Sequence, residues 1–453
     1  MPNDQSPQIL GTAPIGKLLV EYSLPAIIAM TVVSLYNVID SIFIGHGVGA
    51  MAIAGLAITF PLMNLIIAFC TLVGVGSATI SSIYMGQKDT QRATCVLHNA
   101  TILLLINGVL VTIVTLIFLD PILLFFGASQ ETLPYARDFM QVILLANPIA
   151  YLFVGLNNLM RATGYPRKAM LSSFLTVAVN VVAAPIFIFL LGWGIRGAAL
   201  ATAIAQLTGL IWVLSHFLGK NSFISFKKGY FKLHRRIVSA ILGIGMSPFL
   251  MNSCSCIVVI IINTSLQSYG GDMAIGAYGI VNRMLTLFVM VVLGLTQGMQ
   301  PIIGYNYGAN RFDRVKQTLH YGLIFGGCIT TLGFLANELI PGVIVSFFTD
   351  SPELLAVSRN GLRIMSAAFA IVGLQIVITQ FFQSIGKSQI SIFLSLSRQL
   401  LFLIPCLLVL PRHYGTDGVW WSIPVADMVA FVVAVIALLY HIRKMSRRNL
   451  QVQ

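Results

Sequence analysis

Charge is scarce in this chain, and the scarcity decides its class. Asp, Glu, Lys and Arg make up only 9% of 453 residues, hydrophobic residues make up 57%, and the mean hydropathy is +0.89. A soluble domain carries about a quarter charged residues, so a water-soluble globular enzyme is excluded on composition. The signatures of catalysis are missing too. There is no Walker loop, no HExxH, no GxSxG and no paired-carboxylate arrangement, and no enzyme activity is expected. Cysteine is sparse: Cys70, Cys95, Cys254, Cys256, Cys328 and Cys406 all lie in or beside apolar runs, without the loop spacing of a zinc site. They read as small hydrophobes, so no metal, cofactor or disulfide framework is expected. The first fifteen residues hold no cationic stretch ahead of a short apolar core, so no cleavable signal peptide is expected either.

Long apolar runs are abundant. Windowed hydrophobicity gives twelve spans near 17–45, 51–79, 92–119, 135–160, 168–191, 196–218, 238–268, 273–300, 314–339, 357–384, 390–410 and 417–442. Each is long enough to cross a bilayer core of about 30 Å, so an all-α polytopic membrane protein is expected. The cations follow the alternation of the loops: about twenty fall on one side, among them Lys88, Arg92, Arg161, Arg167, Arg311 and Arg314, against five (Arg137, Arg196, Arg359, Arg363, Arg412) on the other. The positive-inside rule then puts both termini in the cytoplasm, and the net charge of +13 follows from topology. These cations are spread over short segments with no folded basic domain between them, which argues against nucleic acid as a partner. The most charged connection, Gly219 to Arg236, reads as a linker that can also touch anionic headgroups.

The chain repeats itself. At an offset of 222, Met51 to Ile58 (MAIAGLAI) falls on Met273 to Ile280 (MAIGAYGI), Gly76 on Gly298, Gly86 on Gly308, Arg92 on Arg314, Arg137 on Arg359 and Gly164 on Gly386. Slips of one or two residues bring Pro25 onto Pro248 and Pro185 onto Pro405. Six crossings return a chain to its starting side, so the two copies share one orientation and are related by a pseudo-two-fold axis along the membrane normal. The expected organisation is a six-helix lobe over 1–218, a cytoplasmic linker over 219–237 and a second six-helix lobe over 238–453.

Within the first span, Leu35 to Gly45 carries Asp40 inside an apolar run of about 28 residues. A carboxylate there costs roughly 2.5 to 3.5 kcal/mol on insertion scales and is usually kept for a pathway or proton relay, the alternative being a hydrogen bond that only packs helices. Tyr36 and Asn37 precede it by four and three residues on the same helical face. The repeat places Asp40 opposite Ile262 or Asn263, so the second half has at most an amide where the first has an ionisable group, and coupling chemistry is expected in the first half. Gly294-x-x-x-Gly298 and Gly322-x-x-x-Gly326 have the small-residue spacing of close helix packing. The charges Arg283, Arg398 and Asp427 lie near the middles of spans eight, eleven and twelve. Asp427 is expected to bond at least one of the two arginines as a structural clamp.

Residues Gln297 to Ala309 (QGMQPIIGYNYGA), where span eight runs into its loop, resemble the signature of the multidrug and toxic compound extrusion family, in particular its bacterial branch of small-cation exporters. The resemblance extends over essentially the whole chain, including the twelve spans, the six-plus-six repeat and the basic linker. It implies a multi-pass protein of the bacterial cytoplasmic membrane that works as a monomer, exporting cationic or amphiphilic small molecules in exchange for protons, with sodium as the alternative ion. It implies an ion-coupling group of Asp40, Asn180, Thr202 and Ala198. The family often carries a second aspartate just before the proline of helix five, where this chain has Ala184; with one carboxylate left, whose charged form a poorly hydrated lobe disfavours, a proton is expected over sodium. Cationic amphiphiles are expected to bind between the lobes, at Tyr36, Asn37, Asn252 and Tyr278, through dispersion and cation–π contact. Two other readings remain at this stage: a flippase for lipid-linked saccharides from the same superfamily, against which twelve spans argue, and a passive channel, which would show a ring of like charges or repeated carbonyl filter sequences.

Overall fold

A backbone crossing hydrocarbon has to satisfy its own hydrogen bonds, so apolar runs of this length become helices. The computed structural model describes residues 8–452 except 49, 220–221, 228, 231 and 349–350; the side chains of 34–42, 45–47, 50–51, 53–54, 272 and 444–452 lie outside the description. Among the described residues the chain forms helices and no strands. The crossings are α1 (Ile15–Gly47), α2 (Ala50–Gly86), α3 (Thr90–Ile117), α4 (Leu133–Ala162), α5 (Pro166–Leu190), α6 (Gly194–Leu218), α7 (Arg235–Gly271), α8 (Met273–Gly308) and α9 (Phe312–Leu339). The tenth, α10, is a pair, Pro352–Ser366 and Phe369–Ser384, bent by 50°. The remaining stretch, Ser388–Arg443, has 56 residues, about 84 Å at 1.5 Å per residue, nearly three bilayer cores long. It is two crossings, α11 (388–414) and α12 (416–452), broken at Gly415 with φ 58° and ψ −132°. Gly271, with φ 64° and ψ −164°, makes the same kind of break between α7 and α8. Only glycine enters such conformations without a steric penalty. The count of twelve agrees with the sequence.

The chain divides into two compact units, one of Met1–Ala13 with Ile28–Phe249 and one of Pro14–Ile27 with Leu250–Gln453. The offset of 222 carries 14–27 onto 236–249, so the two helices that open the repeats share one arrangement: the first fourteen residues of each pack with the opposite half of the sequence. Glycine makes this packing possible. In the first unit a Cβ on Gly76 of α2 would strike the Ile241 carbonyl of α7, and one on Gly245 would strike the Leu72 carbonyl. In the second, Gly294 and Gly298 of α8 lie against Ile27 and Ser23 of α1, and Ser23 Oγ donates to the Leu295 carbonyl at 3.1 Å. Gly76 and Gly298, and Gly245 and Ser23, are repeat equivalents, so one crossing is built twice. Each unit has its own apolar core, around Leu104, Met140 and Leu144 in the first and around Val281, Leu362 and Trp420 in the second.

The loops repeat as closely as the helices. Lys88 and Asn310, 222 residues apart, are the two described non-glycine residues with positive φ, at 60° and 57°. Asp89 N–H donates to the Tyr84 carbonyl at 2.9 Å, and Arg311 N–H to the Asn306 carbonyl at 2.8 Å. Short helices Leu119–Phe125 and Pro341–Ser346 follow α3 and α9 at the same offset. The side chains that lock the two loops differ. Arg92 lies over the Tyr84 ring, 5.8 Å from its centroid, whereas Arg314 Nε donates to the Oδ1 of fully buried Asn306 at 3.0 Å. Asn306 Nδ2 turns back to the Ile302 carbonyl at 2.8 Å, which gives the Tyr-Asn-Tyr-Gly stretch a physical role in ending α8.

Candidate functional site

In the first unit, α5 and α6 form a hairpin turned by Gly192 and Gly194, both at positive φ. Pro185 withholds a backbone N–H from α5, and the helix continues as a π segment, Ile186–Leu190, closed by Leu191 N–H on the Ile186 carbonyl at 3.0 Å. Gly197 lets α6 approach the Phe187 carbonyl. This hairpin positions the polar residues of the sequence reading. Asn180 on α5 is 3% exposed, and its Nδ2 donates to Thr202 Oγ1 on α6 at 3.0 Å. Thr202 Oγ1 donates in turn to the Ala198 carbonyl at 3.2 Å, the i−4 bond open to threonine within a helix. Ala184, one turn after Asn180, is fully buried in the apolar core. An amide, a hydroxyl and a carbonyl thus stand in a chain of donors and acceptors that can serve a proton or a small cation. Asp40, Tyr36 and Asn37 lie in α1 as continuous helix; their side chains lie outside the described residues.

The second unit places its polar centre on the equivalent helix pair. Arg398 sits in a π segment of α11, Ser397–Leu403, and its Nε donates to Asp427 Oδ1 on α12 at 2.7 Å. The Asp427 side chain is 6% exposed and that of Arg398 27%, so the buried carboxylate is paired with a guanidinium instead of standing alone. Next to Arg398, Gln399 Nε2 donates to Ser255 Oγ at 2.9 Å. Arg283 stands outside this network. It is exposed on α8 and has no ion-pair or hydrogen-bond partner among the described residues. Asn252 is half-buried on α7. Tyr278 is 8% exposed and belongs to the core of its unit, with its ring 6.3 Å from that of Trp420.

Sequence reasoning missed how the linker is held. His98 on α3 is fully buried; its Nδ1 lies 2.9 Å from the Thr94 carbonyl, which can only accept, so Nδ1 carries the proton. Nε2 then accepts the Lys227 N–H at 3.1 Å, and Phe226 and Tyr230 pack their rings 5.4 and 5.6 Å from the imidazole. Asn99 Oδ1 accepts the His234 N–H at 2.8 Å, while its Nδ2 donates to the Cys95 and Lys232 carbonyls at 2.8 and 3.2 Å. Two adjacent polar residues thereby hold Lys227, Lys232 and His234 against α3, and His98-Asn99 in an otherwise apolar span was the available signal. Nearby, between α4 and α5, burial pushes the Tyr165 phenol above its ordinary pKa against a smaller opposing effect of a backbone hydrogen bond at Phe223.

The geometry can be set beside known proteins. The family model MatE matches residues 25–186 and 244–408, once in each half. The multidrug export protein MepA of Staphylococcus haemolyticus is 29% identical over 434 residues, covering 95% of this chain and 94% of its own. MepA of Staphylococcus aureus is 27% identical over 424 residues, covering 94% and 93%. Among solved structures, a ligand complex of the MATE multidrug transporter DinF-BH superposes with a TM-score of 0.89 at 33% identity, covering 96% of this chain and 97% of that one. A MATE in the bent conformation superposes at 0.92 with 25% identity over 98% of both. With the model matched in both repeats and relatives aligned from end to end, the chain belongs to the multidrug and toxic compound extrusion family of multidrug efflux transporters.

Proposed function

We propose that this protein is a secondary antiporter of the bacterial cytoplasmic membrane, with both termini cytoplasmic, that exports cationic amphiphiles in exchange for entering protons. Asp40 is the group that takes up and releases the proton, and Asn180, Thr202 and the Ala198 carbonyl are its polar partners. The observation that carries this reading is the buried chain from Asn180 through Thr202 to Ala198, which lies in the same compact unit as the Asp40 stretch of α1. Sodium prefers several oxygen ligands and more than one negative charge, and the buried methyl of Ala184 occupies the place of a second carboxylate. A single carboxylate that alternates between acid and anion instead switches the hydrogen bonding of its neighbours, which can repack the helices around it. Tyr36 and Asn37, on the turn before Asp40, offer polar contacts to substrate. The descriptions of the relatives, multidrug export proteins and a multidrug transporter with a ligand bound, support small amphiphiles as the cargo.

The test is transport by purified protein in liposomes, following a cationic dye under imposed pH or sodium gradients. Dye movement is expected to follow the pH gradient and to ignore the sodium gradient. Movement that follows sodium alone would overturn the proton assignment, and conductance without gradient-driven uphill movement would overturn the antiporter.

A further inference from the structure

At the far end of α3 from the linker, the chain makes the short helix Leu119–Phe125 and then enters α4. A cavity of about 360 Å³ opens at that corner, within the size range of small-molecule sites. Its lining holds an ion pair: Arg137 Nε donates to Asp120 Oδ1 at 2.7 Å, and Nη2 donates to Oδ2. Gln141, one turn along α4 from Arg137, adds an amide, and Leu116, Ile117 and Pro121 contribute apolar wall. The pair is open to its surroundings, with the Asp120 side chain 44% exposed and that of Arg137 40%. A guanidinium has five N–H donors. Two serve Asp120, and the other three, which include the whole edge between Nη1 and Nη2, meet no partner among the described residues. An ion pair this exposed adds little to stability, so fastening the short helix to α4 is a weak reason to keep two charges here. The cavity also continues into an apolar surface. Ile106, Leu110, Ile113 and Ile117 follow one another at spacings of four, three and four and form one exposed stripe of α3 that ends at the cavity. On α4, Leu145 stands exposed one turn beyond Gln141. Lipid tails are as apolar as these side chains. The second half repeats the apolar part, with Leu339, Ile340 and Phe347 exposed where the first half exposes Ile117, Phe118 and Phe125. It does not repeat the charges in place. Gly342 stands at the position of Asp120, and the pair there is Glu338 with Arg363 at 4.0 Å, at the positions of Leu116 and Gln141 and one turn further from the helix ends.

We propose that this corner is a binding site for a zwitterionic phospholipid with a primary-amine headgroup, the chemistry of phosphatidylethanolamine. The lipid phosphate takes the free guanidinium edge of Arg137, a geometry suited to two parallel charge-assisted bonds. The headgroup ammonium donates to the remaining lone pairs of Asp120 and to the Gln141 side-chain carbonyl. The acyl chains lie along the exposed stripe of α3 and against Leu145. Charges of both signs at one mouth match a headgroup that carries both. An anionic headgroup without an amine would meet repulsion from Asp120, and a choline headgroup has no N–H to give the carboxylate. The site stands apart from the Asn180 and Thr202 centre and makes no use of the transport reading.

The experiment is native mass spectrometry of the purified full-length protein, titrated in detergent with phosphatidylethanolamine, phosphatidylcholine or phosphatidylglycerol of identical acyl chains. The thermal midpoint of each variant is the control for folding. Wild-type protein is expected to bind its first phosphatidylethanolamine about tenfold more tightly than either other lipid, the worth of one charge-assisted hydrogen bond. Replacing the pair by Asp120→Leu with Arg137→Met, an apolar exchange that ion pairs tolerate, should bring the three lipids within about twofold of one another. Gln141→Trp keeps the ion pair and fills the cavity, and should remove the preference equally. Glu338→Gln in the second half should leave it unchanged, and free phosphoethanolamine, which has no chains to hold, should not displace the lipid at equal concentration. Equal binding of the three lipids by wild-type protein would overturn the proposal. So would a preference that survives in either folded cavity variant, or one lost as fully in Glu338→Gln. Displacement by free phosphoethanolamine would overturn the lipid assignment, and preferred binding of phosphatidylglycerol would overturn the role of Asp120.

Discussion

The two halves share a backbone plan and differ in polar chemistry. The backbone hydrogen bonds of their loops match one for one, and the glycine crossings recur at the same offset. The fifth and sixth helices of each half are joined by a polar link, but the links are unlike: an amide on a hydroxyl in the first, Asn180 to Thr202, and an ion pair in the second, Arg398 to Asp427. Buried side-chain atoms without a hydrogen-bond partner follow the same divide. Among the described residues they occur on Ser253, Asn337, Ser358, Gln375 and Gln399, all in the second half. A neutral hydrogen bond is worth about 1 kcal/mol and can be exchanged for another partner, whereas a buried ion pair is held by the large penalty for separating it. The comparison teaches that the first half keeps its polar centre adjustable, as the proposed proton coupling requires, while the second fastens its own.

The largest test of this division is Asp40→Asn, which should reduce gradient-driven dye efflux to the level of empty liposomes while leaving a folded protein that still binds dye. If efflux persists, the coupling assigned to the first half is misplaced. Next comes the clamp: Asp427→Ala should lower unfolding stability by roughly 3 kcal/mol by stranding Arg398. The double change Arg398→Met, Asp427→Leu should recover most of that loss and still transport. A double variant that unfolds normally but no longer exports would make the ion pair functional and erase the contrast. Equal effects are expected at the shared crossings, where Gly245→Ala and Gly298→Ala should each cost about 1 to 3 kcal/mol in thermal unfolding, since neither backbone can retreat. The smallest effects should have opposite signs. Asn180→Leu should destabilise by about 1 kcal/mol through its lost bond to Thr202, and Asn337→Leu should stabilise by a similar amount, because both amide atoms of Asn337 are buried without a partner.

The number of crossings was legible because a bilayer imposes a length on every apolar run, and the repeat because its glycines and arginines recur at a fixed offset. The bend in α10 was not. It falls at Ala367 and Ala368, with no glycine or proline to announce it. Nor was the division of α1 and α7 between the compact units visible, since hydropathy records how apolar a segment is and not which neighbour it meets. The Gly294-x-x-x-Gly298 spacing did indicate close packing, but the partner, α1, came only with the structure. In the polar centres, the need of Asp427 for a cation can be read from the sequence; the choice of Arg398 over Arg283 depends on helix rotation. Tyr278 illustrates the same limit, because an amphipathic ring reads equally well as binding residue or core, and its packing against Trp420 shows only in the structure.

The exchange of the opening segments has a consequence for the order in which the protein can be completed. Ser23 meets its partner Leu295 across 272 residues of sequence. At roughly 5 to 20 residues per second, the usual pace of synthesis, the start of α1 waits on the order of 15 to 50 s in the membrane before α8 exists to receive it. The start of α7 meets no such delay, since α2 was made long before it. During that interval Ser23 and its neighbours remain open to lipid or to membrane chaperones, and a ribosome that stops after the sixth helix releases a half in which the opening turns of the first helix, up to Ile27, have no partner.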